Sequence, residues 1–117
     1  MFNVNFFRDE DGTKPVGQFI RALDVKMKAK VVSDLHKLEA LENEAEEPLS
    51  KHLEDGIFEL RSGVGNNIVR ILYFFDEGQV IIASNGFVKK NQKTPKSEIE
   101  LAKKRRTIYF ERKKVSE

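Results

Sequence analysis

Ile57-Phe58-Glu59-Leu60-Arg61-Ser62-Gly63-Val64-Gly65-Asn66-Asn67-Ile68-Val69-Arg70-Ile71-Leu72-Tyr73-Phe74-Phe75 carries the period that sets the architecture. In residues 57–61 Phe58 and Leu60 fall on one side and Ile57, Glu59 and Arg61 on the other, the period of two of a β-strand. Ser62-Gly63-Val64-Gly65 reads as a flexible turn. Asn67–Phe75 reads as a long, mostly apolar strand of the kind covered on both faces. Asp76-Glu77-Gly78 follows as a three-residue hairpin loop with Gly78 at its left-handed position, and residues 80–87 as the return strand. Gly86, late in that strand, marks a bulge or a close approach to the backbone. Strands joined by turns this short predict an antiparallel meander.

On the N-terminal side, residues 4–7 form a short β-prone run closed by the charged turn Arg8-Asp9-Glu10-Asp11-Gly12. Pro15 suits a first helical turn, and Val16, Phe19, Ile20 and Leu23 share one helical face. Asp24 is placed to cap a second helix. Its stripe is Val31, Leu35 and Leu38, widened by Met27 and Val32, and it runs to the acidic residues 42–47 and Pro48. His36 reads as a surface residue of this helix and His52 as part of a polar loop. Towards the C-terminus, Thr94 is a suitable N-cap, Pro95 fits the first turn, and Glu98 and Glu100 favour the positive end of the helix dipole. Ile99, Ala102 and Tyr109 make a thin stripe beside Lys103, Lys104, Arg105 and Arg106, which predicts a helix that docks weakly or awaits a partner. The expected order is β-α-α-β-β-β-α. The expected fold is α+β in two layers, an N-terminal strand and helical hairpin packed on the meander, followed by a C-terminal helix.

The chain has 117 residues, the size of one domain, so residues 1–117 are read as a single unit. With 39% hydrophobic residues it can build one core. It has no cysteine, which excludes disulfides and thiolate zinc sites, and its two histidines offer little to a metal. No metal or small-molecule cofactor is expected. No run approaches the roughly 18 apolar residues of a membrane helix. MFNVNFFRDED lacks a basic leader, so the expectation is a cytoplasmic protein with no membrane partner. The net charge of +2 hides a division. Residues 1–88 carry 10 Lys and Arg against 15 Asp and Glu, a net of −5; residues 89–117 carry 11 against 4, a net of +7. Such blocks suit a polyanionic ligand, an acidic partner or a solvated tail.

Arg70 interrupts the most apolar strand, where an unpaired charge would cost several kcal/mol. It therefore needs a carboxylate such as Glu59 on the neighbouring strand, or an anionic ligand. Phe87-Val88-Lys89-Lys90-Asn91-Gln92-Lys93 ends the last strand. Were Arg61, Arg70, Lys89, Lys90 and Lys93 to share one face, they would form a phosphate-sized cationic pocket, since guanidinium forks bind phosphate oxygens in pairs. Phe87 could stack on a base. The plainer reading is a structural ion pair, a solvated lysine run and a core phenylalanine. Such cations suit RNA cleavage through the 2′-hydroxyl: a base takes its proton, cations stabilise the pentacovalent phosphorane, and an acid protonates the leaving 5′-oxygen. Lysine is a poor base near its usual pKa of about 10.4, and crowding among cations lowers that value.

Leu49-Ser50-Lys51-His52-Leu53-Glu54-Asp55-Gly56-Ile57-Phe58-Glu59-Leu60-Arg61, then Arg70-Ile71-Leu72-Tyr73-Phe74, Asn85-Gly86-Phe87-Val88-Lys89-Lys90-Asn91-Gln92-Lys93-Thr94-Pro95 and Glu98-Ile99-Glu100-Leu101-Ala102 follow in order. These motifs resemble the HigB-like, phage-derived branch of the RelE/ParE toxin superfamily over nearly the whole chain. The resemblance implies a RelE-like fold and the toxin of a type II toxin–antitoxin pair, cleaving mRNA on the translating ribosome without metal. It implies as partners a cognate antitoxin, often of helix-turn-helix type, and ribosome-bound mRNA. On this resemblance Arg61 and Arg70 would hold the scissile phosphate. Lys89, Lys90 and Lys93 would share phosphate binding and proton transfer. Lys51, Phe87 and Gln92 would bind substrate. Where the family often has histidine before Gly-Phe, this chain has Asn85, which cannot transfer a proton near neutral pH. That leaves catalysis to the lysines, or points to a weakened or inactive copy and with it a non-catalytic partner-binding protein; a ParE-like gyrase inhibitor is a further alternative.

Overall fold

The computed structural model describes residues 1–90 and 93–116. Its elements run β1 (Asn3–Phe6), α1 (Pro15–Arg21), α2 (Val25–Glu39), β2 (Ser50–Glu54), β3 (Ile57–Val64), β4 (Asn67–Phe75), β5 (Val80–Val88) and α3 (Lys96–Ser116). The five strands make one sheet in the order β1-β5-β4-β3-β2. β2 to β5 form an antiparallel meander, and β1 joins the outer side of β5 in parallel. The α+β class expected from the sequence is the class observed. Among the described residues no helix is long and apolar enough to cross a membrane.

The meander has one strand more than expected. Residues 50–54 form β2, so His52, read above as part of a polar loop, lies on a strand, its ring 4.9 Å from that of Phe58. The β2–β3 connection is Asp55-Gly56, with φ of 48° and 75°. A two-residue type I′ turn needs φ above zero at both positions, and Asp-Gly supplies it at low cost. The turn expected at residues 62–65 is narrower: β3 runs on to Val64, and Gly65 (φ 61°) and Asn66 make the reversal. Gly78 takes φ of 59°, as the hairpin loop requires.

Alternation along the strands sorts the core into two clusters. On one face Phe58, Leu60, Val69, Ile71, Tyr73, Ile81 and Ala83 meet Val16, Ile20, Met27, Val31, Leu35 and Leu38 of the helical hairpin. Each fully buried aliphatic side chain there stabilises the fold by roughly 1.5–3 kcal/mol. Asp24 caps α2 as expected, accepting the Met27 N–H at 2.9 Å. The helix stops at Glu39, before the acidic stretch, and Glu39 accepts the Val4 N–H of edge strand β1 at 3.0 Å. On the other face Phe7, Ile57, Leu72, Phe74 and Ile82 are covered by Ile99 and Ala102 of α3, with Ile108, Tyr109 and Phe110 beside them. The sheet thus carries helices on both sides, the hairpin on one face and α3 on the other, rather than the two layers expected, because the strands alternate apolar side chains to both faces. α3 does not wait for a partner. Its cations reach into the body: Lys103 to Glu54 at 2.6 Å, Arg106 to Asp55 at 3.0 Å, Lys113 to Asp76 at 2.7 Å and Arg105 to the Ser84 carbonyl at 2.7 Å. Much of the basic tail is therefore engaged within the molecule.

Gly86 marks a close approach, as its position suggested. A Cβ at this position would lie 2.5 Å from Phe19 Cδ2. Gly86→Ala is expected to lower stability by about 1–3 kcal/mol in urea unfolding, the usual range for overpacking. Adding Phe19→Leu should recover part of the loss.

Tyr73, wholly buried, shares a 2.5 Å hydrogen bond with Ser50 Oγ. Burial pushes its hydroxyl up to about 12, partly offset by the Ser50 bond. Tyr109 is likewise pushed up to about 12, by burial and then by its bond to Asp76. The folded values exceed the unfolded value of about 10, so this contribution is complete below pH 10 and disappears as pH rises through about 12. Circular dichroism should show alkaline unfolding in that window, and Tyr73→Phe should reduce the pH dependence.

Candidate functional site

The period of two that places Ile57 on the α3 face places Glu59 and Arg61 there as well. Register does the rest. Arg61 of β3 pairs with Arg70 of β4, and Arg70 with Phe87 of β5. Lys51 of β2 pairs with Glu59. These side chains therefore occupy one face of the sheet, beyond the stretch that α3 covers. Lys89 follows two places after Phe87 and shares its side, with its backbone N–H on the Ile68 carbonyl at 2.8 Å.

Glu59 sits at the centre and is 1% exposed. Its Oε1 lies 3.2 Å from Arg61 Nε and 3.2 Å from Arg70 Nε. The Arg61 contact is an aligned hydrogen bond. The Arg70 contact has the distance of an ion pair but not the direction of a hydrogen bond, which leaves Arg70 Nε without an aligned acceptor. Arg70 Nη1 donates to the Val69 carbonyl at 3.1 Å. Arg61 Nη1 lies 3.4 Å from Glu47 Oε1 on the exposed loop before β2. The ion pair anticipated between Arg70 and Glu59 is present, but it does not neutralise the site: among the described residues Arg61 pairs with Glu59 and Glu47 and Arg70 with Glu59, while Lys51 and Lys89 add two further positive charges.

The crowding has an electrostatic effect. Burial, then Arg70, Arg61 and Lys51, push the Lys89 ammonium below its ordinary pKa, with Glu59 pulling the other way. Arg70 is lowered by burial and partly restored by Glu59. It stays charged at any pH at which the protein is folded. Two neighbouring guanidiniums of this kind can hold an anion. The arrangement also sets beside them an amine that releases its proton more readily than an isolated lysine.

Of the residues singled out from sequence, Lys51, Arg61, Arg70 and Lys89 converge. Phe87 lies next to Arg70 but is half-buried against the Leu72–Phe74 side of the core, so packing claims much of its ring. Lys90 and Lys93 are exposed. Gln92 and its neighbour Asn91 lie outside the described residues. Asn85 is buried beneath the first turn of α3, its Nδ2 donating to Glu98 Oε1 at 2.9 Å and to the Glu98 carbonyl at 3.2 Å. It fastens α3 to β5 and offers no group to the open face.

Thr94 departs most from expectation. α3 begins only at Lys96, and the Thr94 hydroxyl donates to Glu59 Oε2 instead of capping the helix. Sequence reading identified Glu59 as a partner of Arg70 but not as the hub for Arg61 and Thr94 as well. A carboxylate at strand period between apolar neighbours, in phase with two arginines, was the available signal.

The sequence model of the family described as Phage derived protein Gp49-like (DUF891) matches residues 18–107. No curated protein matches the chain.

Proposed function

From the premise that this chain belongs to the phage-derived Gp49-like family, we propose that it is the toxin of a type II toxin–antitoxin pair and cleaves mRNA on the ribosome. Within that reading it stands beside the HigB-like branch of the RelE/ParE superfamily. The supporting observation is the convergence of Arg61, Arg70, Lys89 and Lys51 on one sheet face, with more positive than negative charge among the described residues. In the proposed reaction the 2′-oxygen attacks the adjacent phosphorus, a 2′,3′-cyclic phosphate forms, and the bond to the 5′-oxygen breaks. Arg61 and Arg70 bind the phosphate oxygens and stabilise the charge that grows on them. Lys89, with its lowered pKa, is the candidate to take the 2′-hydroxyl proton. A second cation returns a proton to the leaving oxygen, with Lys90 and Lys93 the candidates. Lys51 holds the RNA backbone. A cognate antitoxin silences the protein.

A non-catalytic, partner-binding role is favoured by one feature, the engagement of Asn85 with Glu98 where the toxin family often has histidine. Two measurements separate the readings. Induction in growing cells followed by mapping of mRNA 5′ ends should reveal new ends within translated frames, and purified protein with programmed ribosomes should reproduce them. Intact mRNA in both settings would reject the nuclease, and DNA-damage signalling in its place would indicate gyrase as target.

A further inference from the structure

The two oxygens of Glu59 do different work. Oε1 faces Arg61 and Arg70, whereas Oε2 takes the hydroxyl of Thr94, 35 residues further along the chain. Neutralising the arginines requires no such bond, and Thr94 is not needed to cap α3, which starts two residues later. A threonine in a connecting segment has thus been fixed onto the carboxylate that orients the guanidiniums.

We propose that Glu59 is the positioning residue of the site, and that its bond to Thr94 is a tether holding Lys93 beside the arginine pair. The inference rests on the RNA-binding reading above and adds how that site is assembled. Consecutive Cα atoms are about 3.8 Å apart. Fixing Thr94 on Glu59 therefore confines the root of Lys93 to the neighbourhood of Arg61 and Arg70, and a flexible ammonium rooted there can reach an RNA phosphate held by them. Glu59 couples two parts of the site that are remote in sequence: the arginines of the meander and the lysine that precedes α3.

The test uses the full chain, a fluorescent single-stranded RNA with 2′-O-methyl groups, which cannot be cleaved through the 2′-oxygen, and anisotropy over a potassium chloride series. Thr94→Val removes the hydroxyl and keeps the shape. It should weaken binding and make the slope of log K against log salt shallower by about 0.7 for each phosphate that the protein ceases to neutralise. Thr94→Ser should restore both. A Thr94→Val protein with a lower melting temperature but an unchanged slope would overturn the proposal, because a merely structural hydroxyl moves only the former. The tether is also read without RNA, by the rate of tryptic cleavage after Lys93. That rate should rise in Thr94→Val and return to the wild-type value in Thr94→Ser. Equal rates in all three proteins would overturn the tether. If wild-type protein fails to bind the RNA while the proteolysis pattern holds, the RNA reading fails and the tether stands.

Discussion

Arg70→Lys is expected, on the nuclease reading proposed above, to lose about two to three orders of magnitude of mRNA cleavage while remaining folded, the usual effect of removing one preorganised donor to a developing oxyanion. Lysine keeps the positive charge facing Glu59, so the buried carboxylate is not abandoned. It lacks the planar fork, and a single ammonium cannot hold the Val69 carbonyl, approach Glu59 Oε1 and present two donors to a phosphate at once. Arg70→Ala is the poorer experiment. It removes one of two guanidiniums from a carboxylate that is 1% exposed, and so confuses loss of chemistry with loss of fold. The checks are growth after induction, cleavage on programmed ribosomes, and the melting temperature of the same preparation. Cleavage at the wild-type rate by folded Arg70→Lys would remove Arg70 from the mechanism.

The second large effect concerns Asp34, on the opposite face. This carboxylate is 1% exposed and accepts hydrogen bonds from Lys30 Nζ at 2.7 Å and Ser62 Oγ at 2.7 Å, with Lys37 Nζ at 3.7 Å. It ties α2 to β3 on the far side of the strand that carries Arg61. Asp34→Ala leaves the buried Ser62 hydroxyl without its acceptor and opens a void, and should cost about 2–4 kcal/mol. For a domain of this length that corresponds to a fall in melting temperature of roughly 10 °C or more. Asp34→Asn, which can still accept from Ser62, should lose less. A melting temperature unchanged by Asp34→Ala would show that α2 is held on β3 by its apolar neighbours alone.

Much of this architecture was legible because it is written at strand and helix periods. Phe58 and Leu60 against Glu59 and Arg61 gave the faces of β3. Asp24 gave the start of α2, and Gly86 the close approach now seen to be Phe19. What was missed has physical causes. β2 has a single aliphatic side chain, Leu53, among Ser50, Lys51, His52 and Glu54. Charged residues are what an edge strand carries to discourage further pairing, and they erase the hydrophobic signal. Asp55-Gly56 could have revealed that strand. α3 looked weakly docked because its stripe is thin; its ionic partners Glu54, Asp55 and Asp76 are dozens of residues away, and no local pattern announces them. In the site, convergence of Arg61 with Arg70 followed from the meander. The bond of Thr94 to Glu59 did not, since a hydroxyl near a helix start is equally suited to capping.

The parallel pairing of β1 with β5 bears on how the molecule comes into being. Asn3 lies against Val80, so the first strand emerges long before its neighbour exists. At about 5–20 residues per second, translation makes it wait several seconds. The order of synthesis also delays the cationic surface, because Lys89 and Thr94 follow the strands that carry Arg61 and Arg70. On the nuclease reading proposed above, a nascent chain lacks the complete cationic cluster until Lys89 and Thr94 have been made, and a product that stops before β5 would leave its opening strand without a mate.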